Sequence, residues 1–474
     1  MVWLQSRGVS PPPSLPCSRR GASQHFYIPG GHVSSVPPPL TAQRIAIIGS
    51  GIAGLAAAHS LRGLAHITLF EAGDYFGGHT HTVDVTLPGI HGNSPVTHGV
   101  DTGFLVFNER TYPHLIALLA ELGVETAKSD MSFSVKVPDA MNGAGLEWSG
   151  SSLNSVFAQR SNLVNRKFLR MLADIVRFNR TTTELALTGA EAAMMQPLGD
   201  FLRAENFSDE FRDWYFLPMM GCIWSCPTDQ MLQFPVATMI RFCHNHGLIQ
   251  ITNRPQWWTV KGGARHYVEK IVADITDKRL NSPVQTISRD ALGVHITTAR
   301  GTERFDKVIV ATHSDQALSL LQAPTTAEQE VLGAIRYQPN VAVLHTDTAV
   351  LPSRQLAWAA WNYERASARG RESANVCLHY LLNLLQPLPF KQPVVVSLNP
   401  VSPIAREHVI GEFDYAHPVF DLAAIRAQQA LPALQGRHNT YFCGAWAGYG
   451  FHEDGLKSGL NAARLLKEHS GVAA

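Results

Sequence analysis

A glycine-rich turn between two short apolar runs constrains the fold more than any other feature of this chain. The apolar run 44–48 leads directly into Gly49-Ser-Gly51-Ile-Ala-Gly54, and a second apolar run, 66–70, ends at Glu71. Strand, glycine turn, helix, strand and acid is the order that a dinucleotide-binding unit requires. A purely structural turn is the alternative, because glycine-rich turns are common. We predict that the unit binds a dinucleotide through Gly49, Ser50, Gly51, Ala53, Gly54 and Glu71.

The spacing of these residues follows from the chemistry of a pyrophosphate bound at a helix N-terminus. Gly49 permits the tight turn, Gly51 lets the backbone approach the phosphates, and Gly54 lets the helix pack on the strand. The free N–H groups of the helix N-terminus, with their partial positive charge, then face the phosphates. Glu71 is placed to accept hydrogen bonds from the ribose hydroxyls.

Composition narrows the class of protein but not its activity. The 474 residues are 45% hydrophobic and 16% charged, which indicates a globular protein of two or three domains. The net charge of +1 argues against nucleic acid as a partner, and no uninterrupted apolar run is long enough to span a membrane. Six scattered cysteines, with Cys222 and Cys226 wrongly spaced for a zinc knuckle, predict buried free thiols in a reducing, cytoplasmic compartment. Four histidines between 79 and 98 lack regular ligand spacing, so we predict no metal site.

The first 42 residues differ from the rest of the chain. They are rich in Pro, Ser and Gly and contain three arginines and no acidic residue. We predict a disordered extension over 1–42, because the proline runs at 11–13 and 37–39 prevent an amphipathic helix. An organelle leader and a start codon assigned too early are the alternatives.

Strand and helix patterns recur in separated blocks. Strands are predicted over 282–287, 294–298, 306–312 and 440–444, a closing helix over 455–467, and helices over 111–123, 160–186 and 197–215. This order predicts one nucleotide-binding domain assembled from 43–88, 255–316 and 435–470. The insertions 89–254 and 317–434 form the second, substrate domain.

One predicted helix, 163–180, is amphipathic and basic. Its apolar face carries Val164, Phe168, Met171, Leu172, Ile175 and Phe178, and its polar face carries Arg166, Arg170, Asp174 and Arg177. A basic amphipathic helix can lie on an anionic membrane surface, which would place the protein peripherally at the inner face of the membrane. An ordinary helix with a solvated face is the alternative.

The residues after Glu71 carry a resemblance to a known superfamily. Glu71-Ala-Gly-Asp-Tyr-Phe-Gly77-Gly78-His79-Thr80 resembles the second signature of the flavin amine oxidase, protoporphyrinogen oxidase and phytoene desaturase superfamily. The resemblance implies that the Gly-Gly pair passes close to the pyrophosphate of FAD. Many members have Arg where this chain has His79. It also implies cofactor contacts for Gly77, Gly78, His79 and Thr80.

Further blocks match the later elements of that superfamily. Asp101-Thr-Gly103 resembles a turn beside the flavin, Val284 the residue that holds the adenine, and 442–459 the closing flavin motif. The resemblance implies cofactor contacts for Asp101, Gly103, Val284, Gly444, Asp454 and Gly455. It implies an α/β fold with a discontinuous, Rossmann-like FAD-binding domain and an α+β substrate domain, as in amine oxidases.

Four longer blocks are similar to a narrower family. Segments 100–113, 255–263, 335–340 and 448–455 resemble predicted NAD/FAD-binding oxidoreductases often encoded beside cyclopropane-fatty-acid synthase-like methyltransferases. The resemblance covers about 43–468. It implies a methyltransferase partner and an FAD enzyme that desaturates or oxidises a methylated or cyclopropane-related fatty acyl chain. A small amine or polyamine oxidase is one alternative, and a non-catalytic flavin scaffold for a lipid methyltransferase is another.

The single glycine turn and the closing motif suggest how such an enzyme would work. With no second nucleotide fingerprint, electrons are expected to pass from substrate to flavin and then to oxygen, a quinone or a carrier protein. His452 and Glu453, in the turn before the last helix, are the predicted catalytic residues, with Tyr112 as a further candidate and Asp101 and Asn108 as second choices. Aromatic residues of the insertions are expected to line an apolar tunnel: Phe104, Phe107, Trp214, Tyr215, Phe216, Trp224, Trp257, Trp258, Trp361 and Tyr363.

Overall fold

Five parallel strands form the sheet that carries the glycine turn. Their spatial order is β10–β2–β1–β14–β20, so the strand order reverses between β1 and β14. The strands are β1 (Arg44–Ile48), β2 (His66–Phe70), β10 (Asp277–Arg279), β14 (Lys307–Val310) and β20 (Thr440–Phe442). Near-continuous apolar strands such as β1 are expected in a parallel sheet that is covered on both faces.

The computed structural model describes residues 40–92, 94–190, 194–224, 227–249, 254–365 and 376–471. Most of the predicted extension over 1–42, together with Cys17 and Cys226, lies outside these residues. The boundaries of the two predicted domains stay a prediction. The parallel sheet does take its strands from three separated parts of the chain.

A mixed seven-stranded sheet is built from the intervening segments. Its order is β19–β15–β18–β17–β16–β7–β8. The strands are β7 (Phe133–Val137), β8 (Leu146–Ser149), β15 (Arg336–His345), β16 (Trp361–Glu364), β17 (Cys377–Leu381), β18 (Val395–Leu398) and β19 (Val409–Val419). All adjacent pairs are antiparallel except β16 and β7, which pair in parallel.

The remaining strands form three smaller sheets. They comprise β3 (Thr82–Pro88) with β4 (Pro95–Asp101); β5 (Phe107–Asn108), β6 (Thr126–Ser129) and β9 (Trp257–Val260); and β11 (Thr286–Asp290), β12 (Gly293–Thr298) and β13 (Gly301–Phe305). The strand predicted over 282–287 therefore begins later, at Thr286, and leaves Val284 in a loop.

The helices cover the sheets and fill the space between them. They are α1 (Ile52–Leu61), α2 (Pro113–Glu121), α3 (Leu153–Val156), α4 (Arg166–Thr188), α5 (Leu198–Ala204), α6 (Asp209–Phe211), α7 (Leu217–Trp224), α8 (Thr228–Met231), α9 (Val236–Asn245), α10 (Arg265–Ala273), α11 (Ser314–Leu320), α12 (Thr326–Leu332), α13 (Leu382–Leu385), α14 (Leu422–Ala430) and α15 (His452–His469). Among the residues described, no helix combines the length and the apolar character that crossing a membrane would need.

Two helix starts, those of α4 and α15, differ by three residues or more from the sequence-based expectation, and a capping side chain explains each. The Asn165 side chain accepts hydrogen bonds from the N–H groups of Lys167 and Phe168, so α4 begins at Arg166 after a short 3₁₀ turn. The Asp454 carboxylate accepts the Phe451 N–H at 3.1 Å, so α15 begins at His452 rather than at 455. His452 and Glu453 therefore lie in the first turn of α15, not in the loop before it.

Candidate functional site

A cavity of about 630 Å³ opens at the carboxyl ends of the parallel strands. It is lined there by the residues that end β1 and β2 and by those that follow β14 and β20. Ligands of open parallel sheets bind at this edge, where the strand order reverses. Thirteen of the predicted site residues line the cavity: Gly49, Ser50, Gly51, Ala53, Glu71, Gly77, Gly78, His79, Gly103, Tyr112, Val284, Gly444 and His452.

The glycine turn has the geometry that a pyrophosphate requires. Gly49 has a φ of +98°, and a Cβ at this position would lie 2.9 Å from the carbonyl oxygen of Ala311. A Cβ on Gly54 would lie 2.0 Å from the Gly49 carbonyl oxygen, so this glycine is required for helix packing and does not line the cavity. A Cβ on Gly51 would meet no atom within 4 Å, which leaves the N-terminus of α1 open to a ligand.

The Glu71 carboxylate accepts hydrogen bonds from the glycine turn and can accept a further one from a ligand. One carboxylate oxygen accepts hydrogen bonds from the N–H of Ser50 at 3.0 Å and from its hydroxyl at 2.5 Å. The other accepts the N–H of Gly73 at 2.9 Å. Because a carboxylate has about four acceptor positions, it can still receive a ribose hydroxyl.

The Gly77-Gly78 pair lies directly on the glycine turn. A Cβ on Gly78 would be 3.2 Å from the Cα of Gly51, and the N–H of Gly77 donates to the Ser50 hydroxyl at 3.2 Å. Both glycines have positive φ values, +127° and +57°. The two backbones that were predicted to flank a pyrophosphate therefore meet at one place.

His79 enters the cavity beside three other ring-bearing residues. Its ring lies 5.0 Å from that of Tyr415, 5.5 Å from that of His417 and 6.2 Å from that of His313. The Nε2 atom is buried and has no hydrogen-bond partner within the described part of the chain. Burial, followed by the neighbouring imidazoles, lowers the pKa of His79 to about 3, so this residue meets a ligand as a neutral group.

The closing motif brings His452 into the wall of the same cavity. Its ring stacks on Phe104 with the ring centroids 3.8 Å apart, and its Nε2 lies 2.7 Å from the Tyr267 hydroxyl. Thr80 hydrogen-bonds the same hydroxyl and does not line the cavity. Burial lowers the pKa of His452 to about 3, so the imidazole is neutral at physiological pH.

Four further predicted residues lie outside the cavity lining, and the structure shows what each contacts. The Glu453 carboxylate accepts hydrogen bonds at the N-terminus of α2 from His114 and Leu115. Asp454 caps α15, as described above, and also accepts the Tyr449 N–H. Gly455 packs against α1, where a Cβ would lie 2.7 Å from the Cγ2 of Ile52.

Asp101 is the fourth of these residues, and it joins separate parts of the fold. Its carboxylate accepts hydrogen bonds from the Thr82 hydroxyl at 2.5 Å, from the Ala264 N–H at 2.9 Å and from the Gln386 side chain at 2.7 Å. Gln386 also accepts the Asp101 N–H. The position of Gly103 in the cavity wall depends on this buried network, because Gly103 follows Asp101 by two residues.

The cavity continues from the nucleotide end into an apolar end that is lined by the seven-stranded sheet, by α7 and by the segment that follows α9. Of the aromatic residues expected in a tunnel, Phe104, Trp257 and Trp361 line it, and the others do not. The apolar end is lined by Met131, Cys222, Ile223, Leu248, Trp257, Trp361, Tyr380, Val396 and Leu398. Glu71, at the nucleotide end, is the one carboxylate among the described lining residues.

Sequence reasoning missed several cavity residues, most of them single residues outside any motif. They are Tyr337, Tyr380, Tyr415, His246, His313 and His417. His246 donates from Nδ1 to the carbonyl oxygen of Phe242 at 3.1 Å, and burial lowers its pKa to about 4. The segment Tyr415-Ala-His417-Pro418 was the only local signal, since a polar aromatic and an imidazole end a strand there.

A buried polar row crosses the seven-stranded sheet, facing away from the cavity-lining residues of the same strands. Ser397 lies between His345 at 2.7 Å and His379 at 2.6 Å. The other nitrogen of His379 lies 3.1 Å from Glu364, whose second oxygen pairs with the Lys136 ammonium at 3.0 Å. The alternation of side chains along a strand separates this row from Tyr380 and Val396, which line the cavity.

Free thiols are present as predicted. Cys222, Cys243, Cys377 and Cys443 are free and buried. Burial raises the pKa of Cys243, Cys377 and Cys443 to about 12, so these thiols are protonated and unreactive. Glu364, Cys377 and His379 are the described residues whose donor atoms lie close enough together to hold a metal ion, a group that sequence spacing did not suggest.

Comparison with known proteins places this geometry in a family. The model of the flavin containing amine oxidoreductases matches residues 52–382, which is more than half of the chain. The chain belongs to this family. Membership confirms the predicted fold class and the FAD cofactor, and it makes the chain a flavin-dependent oxidoreductase by class.

Individual relatives of the flavin containing amine oxidoreductases differ in their named substrates. The chain is 26% identical over 289 residues to a Mycobacterium tuberculosis protein named "Putative flavin-containing monoamine oxidase AofH", and the match spans 58% of this chain and only 57% of that protein. The fatty acid isomerase of P. acnes that produces CLA shares the fold, with a TM-score of 0.61, 17% identity and coverage of 90% and 99%. Cyclohexylamine oxidase of Brevibacterium oxydans gives a TM-score of 0.62 at 17% identity, with coverage of 91% and 99%.

The residues present fit the FAD of this family. The uncrowded Gly51, the unpartnered Nε2 of His79 and the spare acceptor positions of Glu71 all face one continuous cavity. The phosphates would be held by backbone N–H groups and the helix dipole, because the imidazole at position 79 is neutral. Each individual contact to FAD stays a prediction.

Proposed function

We propose that this flavin-dependent oxidoreductase desaturates or oxidises a modified fatty acyl chain, methylated or cyclopropane-related. One observation carries the proposal: the end of the cavity beyond the flavin site is lined by apolar and aromatic side chains and by no carboxylate among the described residues. Such a lining suits an uncharged hydrocarbon chain and offers no ion pair to an ammonium group.

Bound FAD supplies a two-electron acceptor that takes a hydride from a C–H bond of the substrate. Forming a carbon–carbon double bond also releases a proton from the neighbouring carbon, which needs a neutral base nearby. Turnover would also require an acceptor for these electrons, which we expect to be oxygen, a quinone or a carrier protein. Five histidines line the described cavity wall, and His79 lies with His313 and His417 near Tyr415. We take the other two, His246 and His452, as the candidate bases, since burial keeps both imidazoles neutral.

Hydrogen bonding distinguishes these two imidazoles. The Nδ1 of His246 must donate, because its partner is a carbonyl oxygen, and the neutral ring therefore keeps Nε2 as an acceptor. This Nε2 has no partner among the described residues. The tautomer of His452 is not determined by its partner, since the Tyr267 hydroxyl can donate or accept. We assign proton acceptance to His246. We assign a positioning role to His452, whose ring stacks on Phe104 in the cavity wall.

A small amine is the second candidate substrate, and a specific observation supports it. Tyr380, Tyr415 and Trp361 face the cavity, and aromatic rings can surround an alkylammonium group. The curated relative named a monoamine oxidase points in the same direction. The absence of a carboxylate from the described lining of the apolar end weighs against a diamine or polyamine.

Anaerobic bleaching of the flavin absorbance separates these possibilities. Purified holoenzyme is mixed with phospholipids or free acids bearing unsaturated, methyl-branched or cyclopropane chains, and separately with simple amines. Bleaching by acyl lipids alone supports the proposal and identifies the substrate class. Bleaching by amines alone overturns it in favour of an amine oxidase. No bleaching by either panel, together with tight binding of a lipid methyltransferase, favours the flavin scaffold.

A variant at the apolar end sharpens this test. Ile223→Trp narrows the cavity between α7 and the seven-stranded sheet and should reduce the rate of bleaching by long chains more than tenfold. The FAD content of the variant reports whether the cofactor site is intact. Leu292→Trp, on an exposed turn outside the cavity lining, is the matched control.

A further inference from the structure

An unusual concentration of exposed apolar side chains lies at the start of α4. Val164 is 84% exposed and Leu153 is 82% exposed, the two most exposed large apolar residues described. Leu163, Leu169 and Val176 are 52%, 42% and 57% exposed. Isolated exposed apolar residues need no explanation, but five of them on three successive elements of the chain do: α3, the 3₁₀ turn before α4, and α4. We call these five residues the outer apolar surface.

The structure holds the members of the outer apolar surface together. The Arg160 guanidinium donates to the carbonyl oxygens of Asn154 and Phe157, which fixes α3 to the 3₁₀ turn that carries Leu163 and Val164. The rings of Phe157 and Phe168 lie 5.9 Å apart and join α3 to α4. Leu169 and Val176 are seven residues apart on α4 and therefore share a face of that helix.

The outer apolar surface is distinct from the side of α4 that packs into the core. The opposite side of α4 is already buried in the core through Phe168, Met171, Phe178 and Thr182. Sequence periodicity assigned Val164 to that apolar face, and the structure corrects this: Asn165 starts the helix after Val164 and directs the preceding turn outward. Exposure of Val164 therefore follows from the cap.

Basic residues surround the outer apolar surface. Residues 150–183 contain six Arg or Lys and one acid, Asp174, in a chain whose total charge is +1. Asp174 is buried and bonded to Arg177 and Ser208. Helix α6 packs against α4, and its two acidic residues already form ion pairs. Glu210 pairs with Lys167, and Asp209 pairs with Arg212.

Three exposed arginines remain beside the exposed apolar residues. Arg166, Arg170 and Arg180 have no carboxylate partner among the described residues. Arg166 and Arg170 flank Leu169 in sequence, and Arg180 follows Val176 by one helical turn. Apolar side chains interleaved with cations match the boundary between acyl chains and anionic headgroups.

We propose that the outer apolar surface docks on an anionic lipid bilayer. Leu153, Leu163 and Val164 enter the headgroup region, and Arg166 and Arg170 contact lipid phosphates. The complementarity of charge favours a lipid surface over a second copy of this nearly neutral chain. Docking does not depend on the proposed acyl substrate, because it is measured without turnover.

Flotation of the holoenzyme with lipid vesicles tests the proposal. Vesicles of phosphatidylcholine alone are compared with vesicles that also contain phosphatidylglycerol, at low and high salt. We expect flotation with the anionic vesicles that weakens as salt rises. The double variant Leu163→Asp/Val164→Asp should lose flotation at least about tenfold, and Arg166→Gln/Arg170→Gln should lose it by a similar factor.

A matched control and a second measurement keep the test decisive. Leu292 is 68% exposed on the turn between β11 and β12, so Leu292→Asp adds at another exposed apolar position the same charge that Val164→Asp adds. It should float like the parent protein. FAD content and melting temperature show that each variant is folded. Absence of flotation in the parent protein, or equal flotation of the double variant, overturns the proposal. So does a dimer of the parent protein that Val164→Asp dissociates, since a second copy would then cover the surface.

Discussion

The Glu453 carboxylate caps a helix other than its own, accepting the N–H of Leu115 at 3.0 Å in the first turn of α2. It also accepts the N–H of His114 at 3.0 Å and lies 2.7 Å from the ring of that residue. A negative charge at this position satisfies helix donors and favours the helix dipole. The closing motif thus fixes α2 against α15, and Glu453 faces away from the cavity.

Replacing Glu453 should therefore cost stability more than catalysis. For Glu453→Ala we expect a loss of about 1–2 kcal/mol in the free energy of unfolding, since two helix N–H groups lose their acceptor. The rate of flavin reduction per bound FAD should change less than about threefold. Chemical denaturation and anaerobic stopped flow measure the two quantities. Glu468→Ala, on the exposed last turn of α15, is the control, and a large rate loss without destabilisation would restore a catalytic role for Glu453.

The open position at Gly51 predicts sensitivity to added charge. Gly51→Asp should abolish FAD binding, because a carboxylate would occupy the space of the pyrophosphate and repel it. Gly150→Asp adds the same charge at an exposed glycine with ordinary φ and should retain FAD. The ratio of flavin to protein absorbance is the measurement. A fully yellow Gly51→Asp protein contradicts the assignment of the turn.

Paired substitutions distinguish the roles of the two cavity histidines. His246→Gln should slow flavin reduction about 100-fold with unchanged FAD content, because the base is lost. His452→Gln should alter the flavin spectrum and slow reduction less, since the stacked ring and the Tyr267 contact are changed. Single-turnover reduction with the substrate found by bleaching gives both rates. If His452→Gln slows flavin reduction more than His246→Gln does, His452 is the residue that accepts the proton.

The buried polar row predicts a specific acid dependence of stability. Burial, with a smaller effect of His379, lowers the pKa of His345 from its ordinary 6.5 to about 4. Between these values the unfolded chain binds a proton that the folded chain does not, so this residue lowers stability as pH falls from about 6.5 to about 4. In His345→Gln the loss of stability over that range should be smaller. Urea unfolding at several pH values measures it, with the exposed His91→Gln as control; identical slopes for His345→Gln and the parent protein would contradict the prediction.

The nucleotide end of the site was predictable because its requirements are local. Gly49, Gly51 and Glu71 lie within one strand–helix–strand unit, where a tight turn and a close backbone approach impose glycine directly on the sequence. Gly77 and Gly78 were found through family resemblance, and the structure gives the reason, since they pack on Gly51. Helix α4 was also predicted, although its start at Arg166, after the capping residue Asn165, was not.

The substrate end could not be read from the sequence in the same way. His246 and Tyr380 come from segments more than 130 residues apart, and no local pattern distinguishes a lining residue from a core residue. Glu453 and Asp101 were predicted to be site residues, but neither lines the cavity. Each lies in a recognisable motif, yet tertiary hydrogen bonds direct its carboxylate to the protein itself.

The sequence by itself determined the glycine turn, the strand–helix–strand unit that contains it and the cofactor class, because each depends on residues close in the chain. Only the tertiary structure decided which aromatic rings line the cavity, which acidic side chains cap helices and which apolar residues are exposed to solvent. Those outcomes depend on contacts between distant segments. Burial then sets the charge of His79 and His452, which no property of the isolated side chain specifies.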